Sequence, residues 1–169
     1  MNHAYWEKVA ADYEGEVLSV FDHDRAGCVQ ARIAAASAAA PEGRAADLGC
    51  GVGKFTPLLA VHFAHVQACD IAERAVRVAR NRCRGYTNVD FACFDLTSEP
   101  APFEPVDCVL CVNVLIMPSL NERMRAWRAV TNQVAHGGTL LLVVPSVESV
   151  QFGYFAAIDA QRRAGKGQA

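Results

Sequence analysis

The stretch ADLGCGVG, residues 46–53, decides the fold of this chain. Residues 44–48 are typical of a short buried strand, and a helical pattern begins at Lys54, so the three glycines lie in a tight turn between strand and helix. Glycine in such a turn lets a ligand approach the backbone amides and lie near the positive end of the following helix. The stretch therefore predicts a binding loop at the carboxyl end of a strand.

Strand-like and helix-like segments alternate on both sides of this loop. The predicted strands are residues 44–48, 66–70, 89–94, 106–112 and 139–144. The predicted helices are residues 4–14, 23–40, 54–64, 72–83, a helix from the Ser119–Glu122 capping box to Gly137-Gly138, and 151–163. With right-handed crossovers, this alternation predicts an α/β fold: a Rossmann-like, doubly wound, mainly parallel five-stranded sheet with helices on both faces. The helix after Ser119 is expected to turn inward Met124, Trp127, Thr131 and Val134.

The fourth predicted strand, residues 106–112, is a continuous apolar run, which is typical of a central strand covered on both faces. Cys108 and Cys111 stand three positions apart in it and so point to opposite faces, which excludes a redox or zinc pair. We expect all seven cysteines to be reduced, most of them as core residues. No cluster of acidic residues resembles a metal site, and we expect no metal.

Length and composition set broad limits on the function. The 169 residues are 52% hydrophobic and 20% charged with a net charge of −2, as expected for one soluble globular domain without a strongly basic surface. No apolar run reaches the roughly 18 residues of a membrane span, and no signal peptide is recognisable, so we predict a cytoplasmic location. We divide the domain into an N-terminal helical cap (1–43), a cofactor-binding core (44–148) and a C-terminal helix with a polar tail (149–169).

The second half of the predicted binding site is Asp70, which ends the second strand 21 residues after Gly49. A carboxylate there can accept both hydroxyl groups of a ribose. A dinucleotide site of the form GxGxxG would need glycine at position 54, where this chain has Lys54. Asp47, at the end of the first strand, offers nothing to a pyrophosphate but suits an amino-acid ammonium group. The spacing thus indicates an adenosine-containing cofactor with an amino-acid end.

With DLGCGVG at 47–53 and VQACD at 66–70, the chain resembles the class I S-adenosylmethionine-dependent methyltransferases, in particular those that act on small molecules. The resemblance covers residues 5–148. It implies S-adenosylmethionine as cofactor, S-adenosylhomocysteine as product and the strand order 3-2-1-4-5. The family's sheet has seven strands, whereas this chain reaches only the fifth strand and one further helix. We therefore expect the sixth and seventh strands to be absent.

The resemblance also assigns roles to individual residues. The residues expected at the methionine end of the cofactor are Asp47, Gly49, Cys50, Gly51 and Gly53, with Tyr13 from an N-terminal YWxxxAxxY-like element as a contact to the carboxylate. The residues expected along the rest of the cofactor are Asp70 at the ribose, Ile71 against the adenine, Asp95 at the adenine amino group, Leu96 against the ring, and Asn113 with Val114 around the donated methyl group.

The implied function is transfer of an activated methyl group, by in-line displacement, to an O, N or C nucleophile of a small molecule. His23, between Asp22 and Asp24, is the candidate general base, and the alternative for it is an exposed imidazole near a helix start. The segment after the fourth strand lacks the Asn/Asp-Pro-Pro-aromatic element used on exocyclic amines of DNA bases. No Pro-Cys dipeptide is present for a covalent cytosine mechanism.

Two other functional classes remain open at this stage. An RNA-modifying methyltransferase would find support in the basic face Arg77, Arg80 and Arg84, although a solvated helix face explains the same pattern. A non-catalytic protein that binds the cofactor, or acts only as a partner, is the other class. Because residues 139–144 would form an apolar edge strand, we also expect a partner subunit, a second copy or the helix 151–163 to cover that edge.

Overall fold

The computed structural model describes residues 3–13, 19–98, 103–151 and 155. Its strands are β1 (Arg44–Leu48), β2 (His65–Asp70), β3 (Val89–Cys93), β4 (Val106–Val112) and β5 (Val134–Val143). They form one parallel sheet in the order β3-β2-β1-β4-β5. The predicted Rossmann-like sheet and its strand order are confirmed. In the described part of the chain, β3 and β5 are the edges of this sheet.

Helices pack on both faces of the sheet. They are α1 (His3–Val9), α2 (Val20–His23), α3 (Cys28–Ala39), α4 (Thr56–His62), α5 (Glu73–Arg82) and α6 (Leu120–Asn132), with a further helical turn at 147–151. α1 ends before residue 14, where the sequence pattern had placed its end, and residue 14 itself lies outside the described residues. Nearly all of the predicted helix 151–163 and the polar tail also lie outside the described residues. None of the described helices is long and apolar enough to cross a lipid bilayer.

The single helix predicted for residues 23–40 is wrong, because the chain breaks between α2 and α3. Gly27 adopts φ +65°, a left-handed conformation that interrupts a helix. The Asp24 carboxylate then accepts hydrogen bonds from the backbone N–H groups of Cys28 and Val29, both at 2.8 Å. Asp24 therefore caps the start of α3 and ends α2 as a separate short helix.

Strand β4 is the centre of the core, as its apolar run predicted. Val109 and Cys111 belong to the cluster beneath α6, whereas Cys108 and Leu110 belong to the cluster beneath α3 and α4. All four side chains are fully buried. Cys108 and Cys111 thus lie on opposite faces of the sheet, and both are free thiols.

The predicted inward face of α6 is wrong. The buried residues of α6 are Ala126, Ala129 and Val130, while Met124 and Trp127 are 43% and 36% exposed. Both sets recur at helical spacing, so periodicity alone did not distinguish them. Small side chains let the helix backbone approach the sheet closely, and the longer side chains are turned outward.

Strand β5 is longer than the predicted 139–144, because Gly137 and Gly138 lie inside it instead of ending a helix. Its pairing with β4 shifts register between Val106 and Cys108, which accommodates Gly137 at φ +79°. No residue of β5 is fully buried. That a partner, a second copy or the C-terminal helix covers this edge stays a prediction.

Candidate functional site

A cavity of about 720 Å³ lies at the carboxyl ends of the strands. All five strands or the turns that follow them contribute to its wall, through Gly49, Asp70, Phe94, Asn113 and Val143. Nine of the predicted site residues line this one cavity: Tyr13, His23, Gly49, Asp70, Ile71, Asp95, Leu96, Asn113 and Val114. The volume is within the range of roughly 300–1,000 Å³ typical of small-molecule sites. The structure thus brings together residues spread over a hundred positions of the sequence.

The other four predicted residues, Asp47, Cys50, Gly51 and Gly53, are not among those that line the cavity. They belong to β1 and to the glycine loop behind the cavity wall. The backbone N–H groups of Gly49 and Cys50 both donate to the carbonyl oxygen of Cys69 at 2.8 Å, which fastens the loop to β2. The loop is therefore held in a fixed shape by the neighbouring strand.

Two of the three glycines of this loop lie against side chains that line the cavity. Gly49 has φ +77°, and a β-carbon there would overlap Cγ2 of Val114. Gly51 has φ +53°, and a β-carbon there would stand 2.6 Å from the hydroxyl oxygen of Tyr13. Because Val114 and Tyr13 both line the cavity, the loop packs directly against two side chains of the site.

Asp70 links the glycine loop to the cavity. Its Oδ2 accepts a hydrogen bond from the backbone N–H of Gly51, and its Oδ1 accepts one from Ala72, both at 2.9 Å. Burial raises the pKa of this carboxyl, and the two backbone hydrogen bonds oppose that rise. A carboxylate has about four acceptor positions, so Asp70 keeps capacity for donors of a ligand.

Asp47 lies beneath the glycine loop and is only 4% exposed. The Thr56 hydroxyl, from the first turn of α4, donates to its Oδ2 at 2.6 Å. Burial raises the pKa of Asp47 to about 7, the Thr56 hydrogen bond opposes the rise, and the nearby charge of Asp70 adds to it. Through this hydrogen bond, the Asp47 carboxyl group supports the glycine loop.

Asp95 forms the turn that follows β3. Its Oδ1 accepts hydrogen bonds from both the backbone N–H and the hydroxyl of Thr97, each at 2.8 Å. Its Oδ2 has no hydrogen-bond partner within the described ranges. The turn therefore fixes the side chain at the cavity wall and leaves one oxygen for a ligand.

Asn113 follows β4 with φ +57°, and it is the one non-glycine residue in the described part of the chain with positive φ. Its backbone N–H donates to the carbonyl oxygen of Val143 at 2.8 Å, so the last residue of β5 holds this conformation in place. Asparagine tolerates the left-handed region better than most residues. Strained backbone of this kind is concentrated at ligand-binding positions, and Asn113 lies at the cavity wall.

Sequence reasoning missed one side of the cavity. The residues there come from the end of β5 and from the segment around α2, and they include Ser19, Val20, Val143, Val144 and Pro145. The residues after β5 had a usable signal, because the carboxyl ends of parallel strands lie at the same edge of a sheet. Ser19 and Val20 had none, because the position of the segment around α2 depends on contacts far away in the sequence.

Segment α2 is tied to the start of α4 by two contacts. The Phe21 ring packs edge-on against Phe55, with centroids 5.1 Å apart. The Lys54 ammonium forms an ion pair with Asp22, which holds the pKa of that carboxyl below its ordinary value. These contacts place α2 beside the glycine loop, at the edge of the cavity.

A family model described as Methyltransferase domain matches residues 45–138. The match is more than half of the 169 residues and runs from β1 into β5, across the glycine loop, Asp70, Asp95 and Asn113. The chain belongs to this methyltransferase family. In this methyltransferase domain, the matched region supplies the carboxyl ends of β1 to β4 beneath the cavity. Tyr13 and His23 come from the segment that precedes it, and Val143 at the end of β5 follows it.

Individual proteins are similar to this methyltransferase domain over different lengths. A ubiquinone biosynthesis O-methyltransferase from Xylella fastidiosa is 39% identical over 71 residues, which cover 39% of this chain and 29% of that protein. The structure of CalS10, an amino pentose methyltransferase from Micromonospora echinaspora with S-adenosylmethionine bound, is 29% identical with a TM-score of 0.62, covering 80% of this chain and 55% of that one.

A second solved structure shows likeness of fold alone. The complex of DhpI with S-adenosylhomocysteine is 22% identical with a TM-score of 0.61, covering 83% of this chain and 66% of that one. The methyltransferase domain thus spans under a third of the curated relative and between about half and two thirds of these two solved chains.

Proposed function

We propose that this chain binds S-adenosylmethionine in the cavity at the strand ends and transfers its methyl group to an O, N or C nucleophile of a small molecule. The observation that carries the proposal is the hydrogen bond from the Gly51 backbone to Asp70, next to a cavity that Asp70 and Asp95 both line. Family membership supports the same chemistry.

The residues present fit the adenosine half of this cofactor. Asp70 keeps acceptor capacity for the two ribose hydroxyls, and Asp95 keeps Oδ2 for the adenine amino group. Ile71 and Leu96 supply apolar surface for the ring at the same wall. CalS10 was solved with S-adenosylmethionine and DhpI with S-adenosylhomocysteine, which supports the choice of this cofactor.

The methionine half fits the glycine loop and Tyr13. Gly49 and Tyr13 line the cavity, and the Tyr13 side chain lies against Gly51. In this proposal Asp47 acts from beneath the loop: with Thr56 it holds the loop in shape, and it carries a negative charge behind the ammonium group once the pH exceeds its pKa of about 7. Asn113 and Val114 bound the region of the donated methyl group.

The bound cofactor supplies a methyl group already activated by its sulfonium. The chain has to hold the acceptor in line with that group and to exclude water, and proximity and electrostatics account for most of such catalysis. The apolar residues on the α2 and β5 side of the cavity, including Val20, Val143 and Val144, suit this task.

A small molecule is the acceptor class that the described surface supports. The relative from Xylella fastidiosa is a ubiquinone biosynthesis O-methyltransferase and CalS10 is an amino pentose methyltransferase, so both names describe small-molecule chemistry for those proteins. The basic face proposed for RNA is not continuous: Arg80 donates to the Phe91 carbonyl oxygen at 2.7 Å, and Arg84 lies beyond the end of α5. Absence of binding to bulk tRNA at low salt would exclude the RNA class.

A transfer assay tests the proposal. The chain is incubated with methyl-labelled S-adenosylmethionine and a panel of phenols, amines and carbon acids, and label is measured in the extracted products. We expect transfer to at least one class. Binding of S-adenosylhomocysteine without transfer to any class would instead support the non-catalytic alternative.

A further inference from the structure

His23 is held in one tautomer by the backbone. Its Nδ1 lies 2.7 Å from the carbonyl oxygen of Ser19. A carbonyl oxygen only accepts hydrogen bonds, so in the neutral imidazole Nδ1 carries the proton and Nε2 carries the lone pair. Nε2 has no hydrogen-bond partner within residues 3–13, 19–98, 103–151 and 155. His23 lines the cavity, so a proton acceptor without a partner is present at its wall.

The two carboxylates adjacent to His23 in the sequence already have partners. Asp22 is paired with Lys54, and both oxygens of Asp24 accept backbone N–H groups at the start of α3. Neither carboxylate turns to the imidazole, because the ring bonds only to the Ser19 carbonyl oxygen among the described residues. The imidazole is therefore held by its hydrogen bond to the backbone, and no carboxylate of the described residues forms a hydrogen bond with it.

His23 is exposed, and aliphatic side chains line the cavity with it. The apolar residues that line this side of the cavity are Val20, Val29, Val143, Val144, Pro145 and Val150. A molecule bound in the cavity meets these aliphatic side chains together with His23 and the polar residues Ser19, Asp24 and Ser149. The contacts of Phe21 with Phe55 and of Lys54 with Asp22 fix α2, so that the nitrogen is held in place before an acceptor binds.

We propose that His23 is the general base and that the acceptor is an apolar molecule with a neutral, phenol-like hydroxyl; the inference rests on the proposed methyl transfer. Nε2 takes the hydroxyl proton while an oxygen electron pair forms the O–CH₃ bond and the CH₃–S⁺ bond breaks with its electrons going to sulfur. The products are the methyl ether, S-adenosylhomocysteine and an imidazolium that returns its proton to water.

A hydroxyl fits this pocket better than an ammonium group. A cation is stabilised by a carboxylate partner, and the two carboxylates adjacent to His23 in the sequence already bind Lys54 and the start of α3. A neutral hydroxyl needs only one acceptor, which Nε2 provides. An imidazole can also accept the proton of a phenol, whose pKa is about 10, whereas an aliphatic alcohol holds its proton far more tightly.

The first test measures the tautomer directly and needs no acceptor. In protein with ¹⁵N-labelled histidine at about pH 8.5, where an ordinary imidazole is neutral, long-range ¹H–¹⁵N spectra assign the protonated nitrogen of each ring. We expect Nδ1–H for His23. His65, whose Nε2 lies 3.0 Å from Asp90 Oδ2, is the internal control and should show Nε2–H. An Nε2–H tautomer at His23 overturns the proposal.

The second test titrates chemical probes into protein saturated with S-adenosylhomocysteine. The probes are 4-methylphenol, its hydrocarbon analogue 1,4-dimethylbenzene, and 4-methylbenzylamine as the cationic alternative. We expect 4-methylphenol to shift the His23 Nε2 resonance and the hydrocarbon to leave it unchanged. No shift with the phenol, or a shift with the amine alone, contradicts the assigned acceptor class. Failure to bind S-adenosylhomocysteine would instead contradict the proposed function itself.

The third test follows methyl transfer from labelled S-adenosylmethionine to 4-methylphenol. We expect His23→Gln to lower kcat by ~100-fold or more, and the control His65→Gln to leave it unchanged. Added imidazole should restore part of the activity of His23→Ala, which loss of a purely structural side chain would not allow. Equal rates in the unmodified protein and His23→Gln, or binding of the phenol without any transfer, overturn the role of His23.

Discussion

The backbone N–H of Gly51 donates a 2.9 Å hydrogen bond to Oδ2 of Asp70. This bond joins the glycine loop after β1 to the acidic residue that ends β2. Asp70 therefore has two roles in our account: it shapes the loop, and it lines the cavity where we place the ribose. The glycine loop and Asp70, which are the two parts of the binding site predicted from the sequence, are thus joined directly.

Replacing Asp70 should weaken cofactor binding. In Asp70→Ala the ribose loses its acceptor and the loop loses its bond at Gly51, so we expect the affinity for S-adenosylhomocysteine to fall by ~10-fold or more, the scale of lost charge-assisted hydrogen bonds. Isothermal calorimetry measures this. Asp90→Ala, at an exposed carboxylate beside His65, is the matched control and should bind as the unmodified protein does. Unchanged affinity in Asp70→Ala would show that the ribose is bound elsewhere.

Gly49→Ala should destabilise the fold and close part of the site. Position 49 combines a left-handed φ with a β-carbon that would overlap Val114. We expect a loss of at least about 2 kcal/mol in the free energy of unfolding. Gly85→Ala is the control, because a β-carbon there meets nothing within 4 Å, and it should change stability by less than about 0.5 kcal/mol. Urea denaturation measures the free energy of unfolding of both variants. Equal values would contradict the close approach of Val114 to position 49.

The free energy of unfolding should depend on pH because of the buried Asp47 carboxyl group. Its pKa is raised from the ordinary 3.8 to about 7, so between these values the folded protein keeps a proton that the unfolded chain has released. The free energy of unfolding then falls as the pH rises through this range, by about 1.4 kcal/mol per pH unit from this group. Asp47→Asn should remove that slope. Parallel slopes for the two proteins in urea denaturation would refute the buried, protonated Asp47.

Thr56→Val should destabilise the protein more at about pH 8 than at about pH 5. At the higher pH the variant leaves an ionised, buried carboxylate without its hydroxyl donor, at a cost of roughly 1–3 kcal/mol or more. Thr56→Ser keeps the donor and should retain most of the stability at both pH values. The comparison is made by denaturation at each pH. A loss in Thr56→Val that does not grow with pH would argue against an ionised Asp47.

The sheet could be predicted from the sequence because its signals are local. The uninterrupted apolar run of β4 and the glycine turn after Leu48 each identify one element without reference to the rest of the chain. The buried face of α6 could not be predicted from local signals, because Ala126 with Val130 and Met124 with Trp127 both recur at helical spacing. The choice between them depends on how closely the helix packs on the sheet.

The candidate site was predicted in part for a similar reason. Asp70 and Asp95 follow strands, and strand ends are where parallel sheets bind ligands. The bond between Gly51 and Asp70 depends on the register that pairs Leu48 with Cys69, which no local pattern contains. The break before α3 did have a local signal, since Asp24 and Gly27 are a capping residue and a helix-breaking residue, and the long helical pattern obscured it.

Calorimetric titration of the chain with S-adenosylhomocysteine tests the central claim most directly. Our account predicts saturable binding of one molecule per chain and a matching rise in the unfolding temperature, because a ligand that binds only the folded state stabilises it. Absence of both binding heat and a thermal shift would contradict the assignment of the cavity as the cofactor site.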